Sequence, residues 1–286
     1  MTETIVQGLL LGGLYCLFSL GLSLMFGVMR LTNIAQGDLI VAGGFAAISI
    51  APLVGGHFVV AGLVLLPLAF AVGYGLQRLV LNRTLGKDPL PSLVVTFGLS
   101  IVIQNLLLEV YSASPRSLEA GALSTGSIQL GEELFVGTLP LLILGVALAA
   151  TLGLQLLFSL TPLGRAFRAV SDDREVAELM GVRSANVYAI ATALATALIA
   201  LAGLFQSLRT TVSPADGPLL LLFAFESVII GGMGSFWGTF VGAMVLGVSQ
   251  QVGFRFDPGW GVWFGHLVFL AVLIVRPNGL FPKTKG

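Results

Sequence analysis

The sequence predicts an all-α polytopic integral membrane protein of about eight or nine transmembrane or re-entrant helices, and three observations predict it. Of 286 residues, 56% are apolar and only 10% charged, where an ordinary soluble domain carries about 25% charged residues. Mean hydropathy is +0.98. Apolar runs of roughly 20 residues, the length that crosses a hydrocarbon core of about 30 Å, recur along the chain. No internal repeat, low-complexity tract or linker divides it, so it reads as a single transmembrane domain, residues 1–286. The 14 basic and 14 acidic residues cancel, which leaves no electrostatic footprint for nucleic acid. The one cysteine, Cys16, excludes an internal disulfide. The opening MTETIVQGLL has no basic region and does not read as a cleaved signal peptide.

The first segment, about residues 4–27, holds Gly8 and Gly12, a spacing that suits close helix packing. The polar stretch 28–38 follows, with Asn33, Gln36 and Asp38, and the next apolar run, 39–54, has only 16 residues. Two readings fit this short run. The polar residues break the helix inside the membrane, against a water-filled cavity, or they form a surface turn before a thin-spanning helix. The third segment runs over 58–80. After it, Gly86 and Lys87 are followed by Asp88, so this is no P-loop, and no Walker A sequence occurs elsewhere.

In the fourth segment, 90–111, Thr96, Ser100 and Gln104 share one helical face, with Asn105 beside them. Such a stripe lines a pathway, or it makes interhelical hydrogen bonds worth about 0.6 kcal/mol each. Residues 112–135 read as the longest external loop. The fifth segment covers 136–160. The sixth, 187–208, continues a row of Ala185, Ala189, Ala193 and Ala197 that predicts a small-residue packing seam. The run 219–233 is 15 residues long and contains Glu226; Gly234, Gly238 and Gly242 follow at intervals of four. This reads as a pair of half-spanning or tightly packed helices, and the last span is about 260–275. A carboxylate at mid-membrane costs about 2.5–3.5 kcal/mol. The short segment favours Glu226 reaching an interface over a pathway role. His57 and His266 read as isolated, so neither a metal site nor a hydrolytic triad is expected.

Between the fifth and sixth segments lies a polar island, residues 161–186, with four of the basic and four of the acidic residues. Its pattern predicts two short helices. Leu163, Phe167 and Val170 repeat at i, i+4, i+7, with Arg165 and Arg168 on the other face. Asp172 is expected to cap the second helix, with Glu175 three residues on. Val176, Leu179 and Met180 form its apolar stripe, and Gly181 suits a left-handed terminus. On composition alone this fits a helix lying among lipid headgroups.

The run LGRAFRAV at 163–170, then Asp173-Arg174-Glu175 and Glu178-Leu179-Met180-Gly181, resembles a loop of the permeases of bacterial branched-chain amino-acid ABC importers. The residues Glu175, Val176, Ala177 and Gly181 are similar to the E-A-A-x-x-x-G signature that docks importer permeases on their ATPases. Val176 replaces the middle alanine, and the downstream Leu-Pro of the full signature is missing. Three further patches resemble the same family: residues 28–38 with the GLSLMFG before them, the glycine run 231–238, and the closing RPNGLF at 276–281. In the first of these, Gln36 stands where the family often has His.

The resemblance implies a permease subunit that moves leucine, isoleucine or valine across the bacterial inner membrane. It also implies a second related permease (as homo- or heterodimer), two cytoplasmic ATPase subunits that bind the ATP, and an external solute-binding protein. No cofactor is implied on this chain, and the ATP hydrolysis would be the partners' work. ATPase coupling is implied for Arg165, Arg168, Arg174, Glu175, Ala177, Glu178 and Gly181. Relatives carry urea, short amides or aromatic acids, so these stand as alternative substrates.

With the island placed in the cytoplasm, 11 of the 14 basic residues fall inside, among them Arg30, Lys87, Lys283 and Lys285. The N-terminus is then external and the C-terminus cytoplasmic, with about nine crossings, or about seven plus a re-entrant pair. Two rivals of other classes are a secondary transporter driven by an ion gradient, which calls for paired intramembrane ionisable groups, and a membrane scaffold without flux.

Overall fold

Helix α1 (Thr2–Met29) is apolar on every side, the mark of a helix with no face left for solvent. It forms the axis of the molecule, and 83% of its most apolar 18 residues are buried. Its glycines let neighbours approach backbone to backbone. A Cβ on Gly8 would lie 2.5 Å from the α-carbon of Val248, and one on Gly13 would lie 2.9 Å from that of Leu144. Those residues belong to α11 (Phe236–Phe256) and α6 (Thr138–Leu160).

The computed structural model describes residues 1–84, 90–129 and 135–281. Residues 85–89 with Lys87, and the terminal Lys283 and Lys285, lie outside the described residues. After α1 come α2 (Gln36–Ile50), extended by a 3-10 turn at Ala51–Val54, then α3 (Phe58–Leu79) and α4 (Leu90–Tyr111). The stretch read as a plain loop contains a short helix, α5 (Ala122–Thr125), and a hairpin of β1 (Ser127–Gln129) on β2 (Phe135–Gly137), paired antiparallel with Ile128 opposite Val136. The chain is otherwise helical, as an all-α membrane protein is, and strands of three residues are too short to announce themselves by alternation. Arg116 and Val212 also exchange both backbone hydrogen bonds, at 3.0 and 2.7 Å, tying this loop to the chain after the sixth segment.

The polar island forms α7 (Pro162–Asp172) and α8 (Arg174–Leu179), and α9 (Ser184–Arg209) leads back through the bundle. Helix α10 (Gly217–Gly231) meets α11 at a bend of 117°, and α12 (Gly261–Val275) closes the fold. Among the described residues, six helices are long and apolar enough to cross a membrane, or up to seven if the bent pair counts as one span. Helix α9 buries 72% of its apolar window, but α4 buries only 11% and α3 and α6 bury 28% each, so these last three form the outer wall.

Candidate functional site

At one end of the bundle, α7 is clamped to α6. Thr161 caps it, its hydroxyl accepting from the Gly164 N–H at 3.0 Å, and Pro162 supplies a preset first turn. Gly164 packs against the α6 backbone, where a Cβ would lie 2.3 Å from the Leu157 carbonyl oxygen. Phe167 is fully buried and Val170 nearly so. Phe158 lies tilted against Phe167 at 5.2 Å and meets Phe236 edge-on at 4.9 Å, which joins α6, α7 and the start of α11. Arg165 and Arg168 are both exposed, and the Arg168 guanidinium donates to the Phe158 carbonyl in the last turn of α6.

Helix α8 is held differently. Its cap is Asp173, which accepts from the Val176 N–H at 3.0 Å. The expected cap, Asp172, is instead the last residue of α7, because that helix continues past Val170, the end of its apolar repeat. Ala177 is buried. Arg174 pairs with Glu178 at 3.0 Å and lies over the Tyr188 ring at 5.9 Å. Ser184, at the start of α9, donates to Glu178. That hydroxyl first, and Arg174 second, hold the Glu178 carboxyl below the usual carboxylate range. Gly181 turns the chain at φ +86°, where a side chain would be strained. The apolar stripe points outward: Val176 is 55% exposed, Leu179 86% and Met180 80%. A cleft of about 590 Å³ lies alongside, lined by Arg78, Arg174, Glu178 and residues 181–186.

Beside the middle of α1, two helices begin against each other. The Gln36 side-chain amide, in the first turn of α2, donates to the Phe18 carbonyl at 2.6 Å. Phe18 lies eleven residues before the end of α1, roughly 16 Å along the axis. Helix α2 therefore starts beside the middle of α1. The Asn33 side chain makes the turn, accepting from the Ala35 N–H at 3.0 Å. The first residue of α10, Gly217, touches the first turn of α2: a Cβ on Gly37 would sit 1.9 Å from the Gly217 carbonyl oxygen. Asp38 is 2% exposed; its Oδ2 accepts from Ser100 at 2.5 Å, and its Oδ1 has no hydrogen-bond partner. Each nearby helix N-terminus typically offers a carboxylate about 0.3–1 kcal/mol. That offsets part of an insertion cost of about 2.5–3.5 kcal/mol.

A model of the family described as "Branched-chain amino acid transport system / permease component" matches residues 4–276 of this chain. The chain belongs to that family. It is similar to the high-affinity branched-chain amino acid transport system permease protein BraD of Pseudomonas aeruginosa, with 28% identity over 99% of this chain and 96% of the relative. To LivH of Escherichia coli K12, a protein of the same description, it is 25% identical, with the same shares covered. Among solved structures, PsaBC from Streptococcus pneumoniae in complex with Fab has the same fold. Its TM-score is 0.52 at 13% identity, covering 99% of this chain and 96% of that one.

In this permease the residues singled out from sequence fall into separate groups. Arg165 and Glu175 are exposed at the island end, together with the Arg174–Glu178 pair and Gly181. The stripe on α4 divides: Ser100 reaches Asp38, Thr96 is buried on its own Leu93 carbonyl, Gln104 is half-buried and Asn105 is exposed. Gly12 packs on Met244, Gly238 on Gly231, and Gly242 on the Ser227 carbonyl. Gly234 turns the α10–α11 bend at φ +79° against Gly27. Ala189 and Ala193 are fully buried, whereas Ala197 lines an outer apolar groove with Leu66 and Leu154.

The expectations for Glu226 and His266 are overturned together. Glu226 does not reach an interface: it is 1% exposed, and His266 of α12 meets it at 2.5 Å. His266 is therefore not isolated. The pairing spans 40 residues, and no local pattern signals it. Asp38 is nearly as deeply buried as Glu226. Tyr15 and Gln250, joined by a hydroxyl-to-amide bond of 2.6 Å between α1 and α11, are further buried polar residues that sequence reasoning passed over.

Proposed function

We propose that this permease is one of a pair of membrane subunits in an ATP-driven importer of branched-chain amino acids, seated in the bacterial inner membrane with α7 and α8 in the cytoplasm. The N-terminus is then external and the C-terminus internal, an orientation supported by the excess of basic residues at the island end. Two ATPase subunits work on that side and a solute-binding protein delivers on the other. The observation that carries the reading is α8. Val176 and Leu179 stand exposed on this short helix and Met180 at its C-terminal cap, and the helix is fixed behind by the bond between Glu178 and Ser184. An exposed apolar cluster with a charged rim is how a docking knob is built.

ATP-driven closure of the ATPases pulls this knob. Rigid attachment of α7 to α6 and α11 passes the pull to the bundle, where helices packed on glycine and alanine rock against each other. Substrate choice rests on family membership, with leucine, isoleucine and valine the expected solutes. The test is uptake into proteoliposomes of the assembled importer under an ATP supply with ion gradients collapsed. Glu175→Lys and Gly181→Pro should each uncouple ATP hydrolysis from uptake with the protein still folded in the membrane, since proline cannot adopt a positive φ. Unimpaired uptake in both variants would remove α8 from the docking role. Uptake that needs an ion gradient instead would return the secondary-transporter reading.

A further inference from the structure

Two carboxylates are buried among the spans, and the chain treats them differently. Glu226 has His266. Asp38 forms no ion pair among the described residues; its polar support is the Ser100 hydroxyl and its own backbone N–H. The carboxylate lies where α2 and α10 begin against each other, with Oδ1 unpartnered and packed on Gly217, where a Cβ would lie 2.1 Å from it. Gly37 on α2 and Gly217 on α10 make this contact, with Leu221 also beside Gly37, and neither glycine has room for a Cβ. The contact is a closed seam at which two short helices approach backbone to backbone.

A carboxylate buried with a vacant acceptor and no cationic partner among the described residues is suited to a cation from outside the chain. We propose that Asp38 is the subsite for the primary ammonium group of the transported solute, reached when the Gly37–Gly217 seam opens. The inference rests on the importer reading above and names which end of an amino acid the bundle recognises. Ser100 is a positioning residue that fixes Oδ2 and leaves Oδ1 for the ligand.

The test uses the complete importer in proteoliposomes with radiolabelled leucine. Asp38→Asn keeps the shape and a carbonyl acceptor for Ser100 but removes the charge. It should cut uptake at least 100-fold while ATP hydrolysis stimulated by the loaded binding protein persists. Asp38→Glu should keep uptake within about tenfold of wild type. A second variant, Ser100→Lys, supplies the missing ammonium from α4. It should leave the importer assembled, at an unchanged or higher Tm, and abolish uptake. Wild-type uptake in Asp38→Asn or in Ser100→Lys overturns the proposal, as does equal loss in Asp38→Asn and Asp38→Glu, which would mark a purely structural acid. If the wild-type importer takes up no branched-chain amino acid under ATP, the importer reading itself has failed.

Discussion

Helices α7 and α8 are neighbours in one polar island, each with an apolar stripe, yet they spend it in opposite ways. α7 turns Phe167 and Val170 inward, packs Gly164 on the α6 backbone and hands Arg168 to an α6 carbonyl. α8 buries only Ala177 and displays Val176, Leu179 and Met180. The first helix is part of the bundle's core. The second leaves its stripe exposed. Sequence periodicity is the same kind of signal in both, so periodicity reports a stripe and not what covers it.

If this contrast is real, α7 variants should lose stability and α8 variants should lose coupling. The largest effect is expected from Phe167→Ala, which empties a fully buried site. It should cost about 3–5 kcal/mol, read as a lowered Tm of the purified permease. A Tm equal to wild type would mean that α7 is not anchored. Leu179→Asp comes next. It should leave Tm unchanged and weaken capture of the ATPase subunits roughly 30-fold, the scale of a hot-spot residue worth about 2 kcal/mol. Loss of Tm with capture intact would reverse the assignment of the two helices.

The helix caps sharpen the comparison at lower amplitude. Thr161→Ala and Asp173→Ala each remove an N-cap worth about 1 kcal/mol. The first should appear in Tm and the second in faster hydrogen exchange of α8 alone. The smallest effect concerns acid. The Glu178 carboxyl titrates below its ordinary value, so its support for α8 is whole above the ordinary carboxylate range and disappears as pH falls through the lowered one. Amide protection in α8 should decline in that acidic window while that of α7 stays constant, and Glu178→Gln should abolish the difference. Parallel decline in both helices would tie the transition to general acid unfolding.

Much of this architecture could be read from the chain because its signals are local. The left-handed turn at Gly181, the short polar break before α2 and the glycine spacing around 234–242 all declare themselves within a few residues. What was missed depends on partners distant in sequence. Nothing near His266 announces Glu226, and nothing near Ser100 announces Asp38. The choice of Asp173 over Asp172 as cap was a matter of one residue, decided by how far α7 continues along α6. Nothing in the spacing of Arg168 announces its bond to the Phe158 carbonyl.

The segment after α12 returns to the end of α10, where the N–H groups of Leu280 and Phe281 donate to the carbonyls of Ile230 and Gly231, both at 2.9 Å. A bend made earlier in the chain is thus clasped by a segment that follows α12, so the broken hairpin keeps those two acceptors uncapped until that later segment has been made and has folded back.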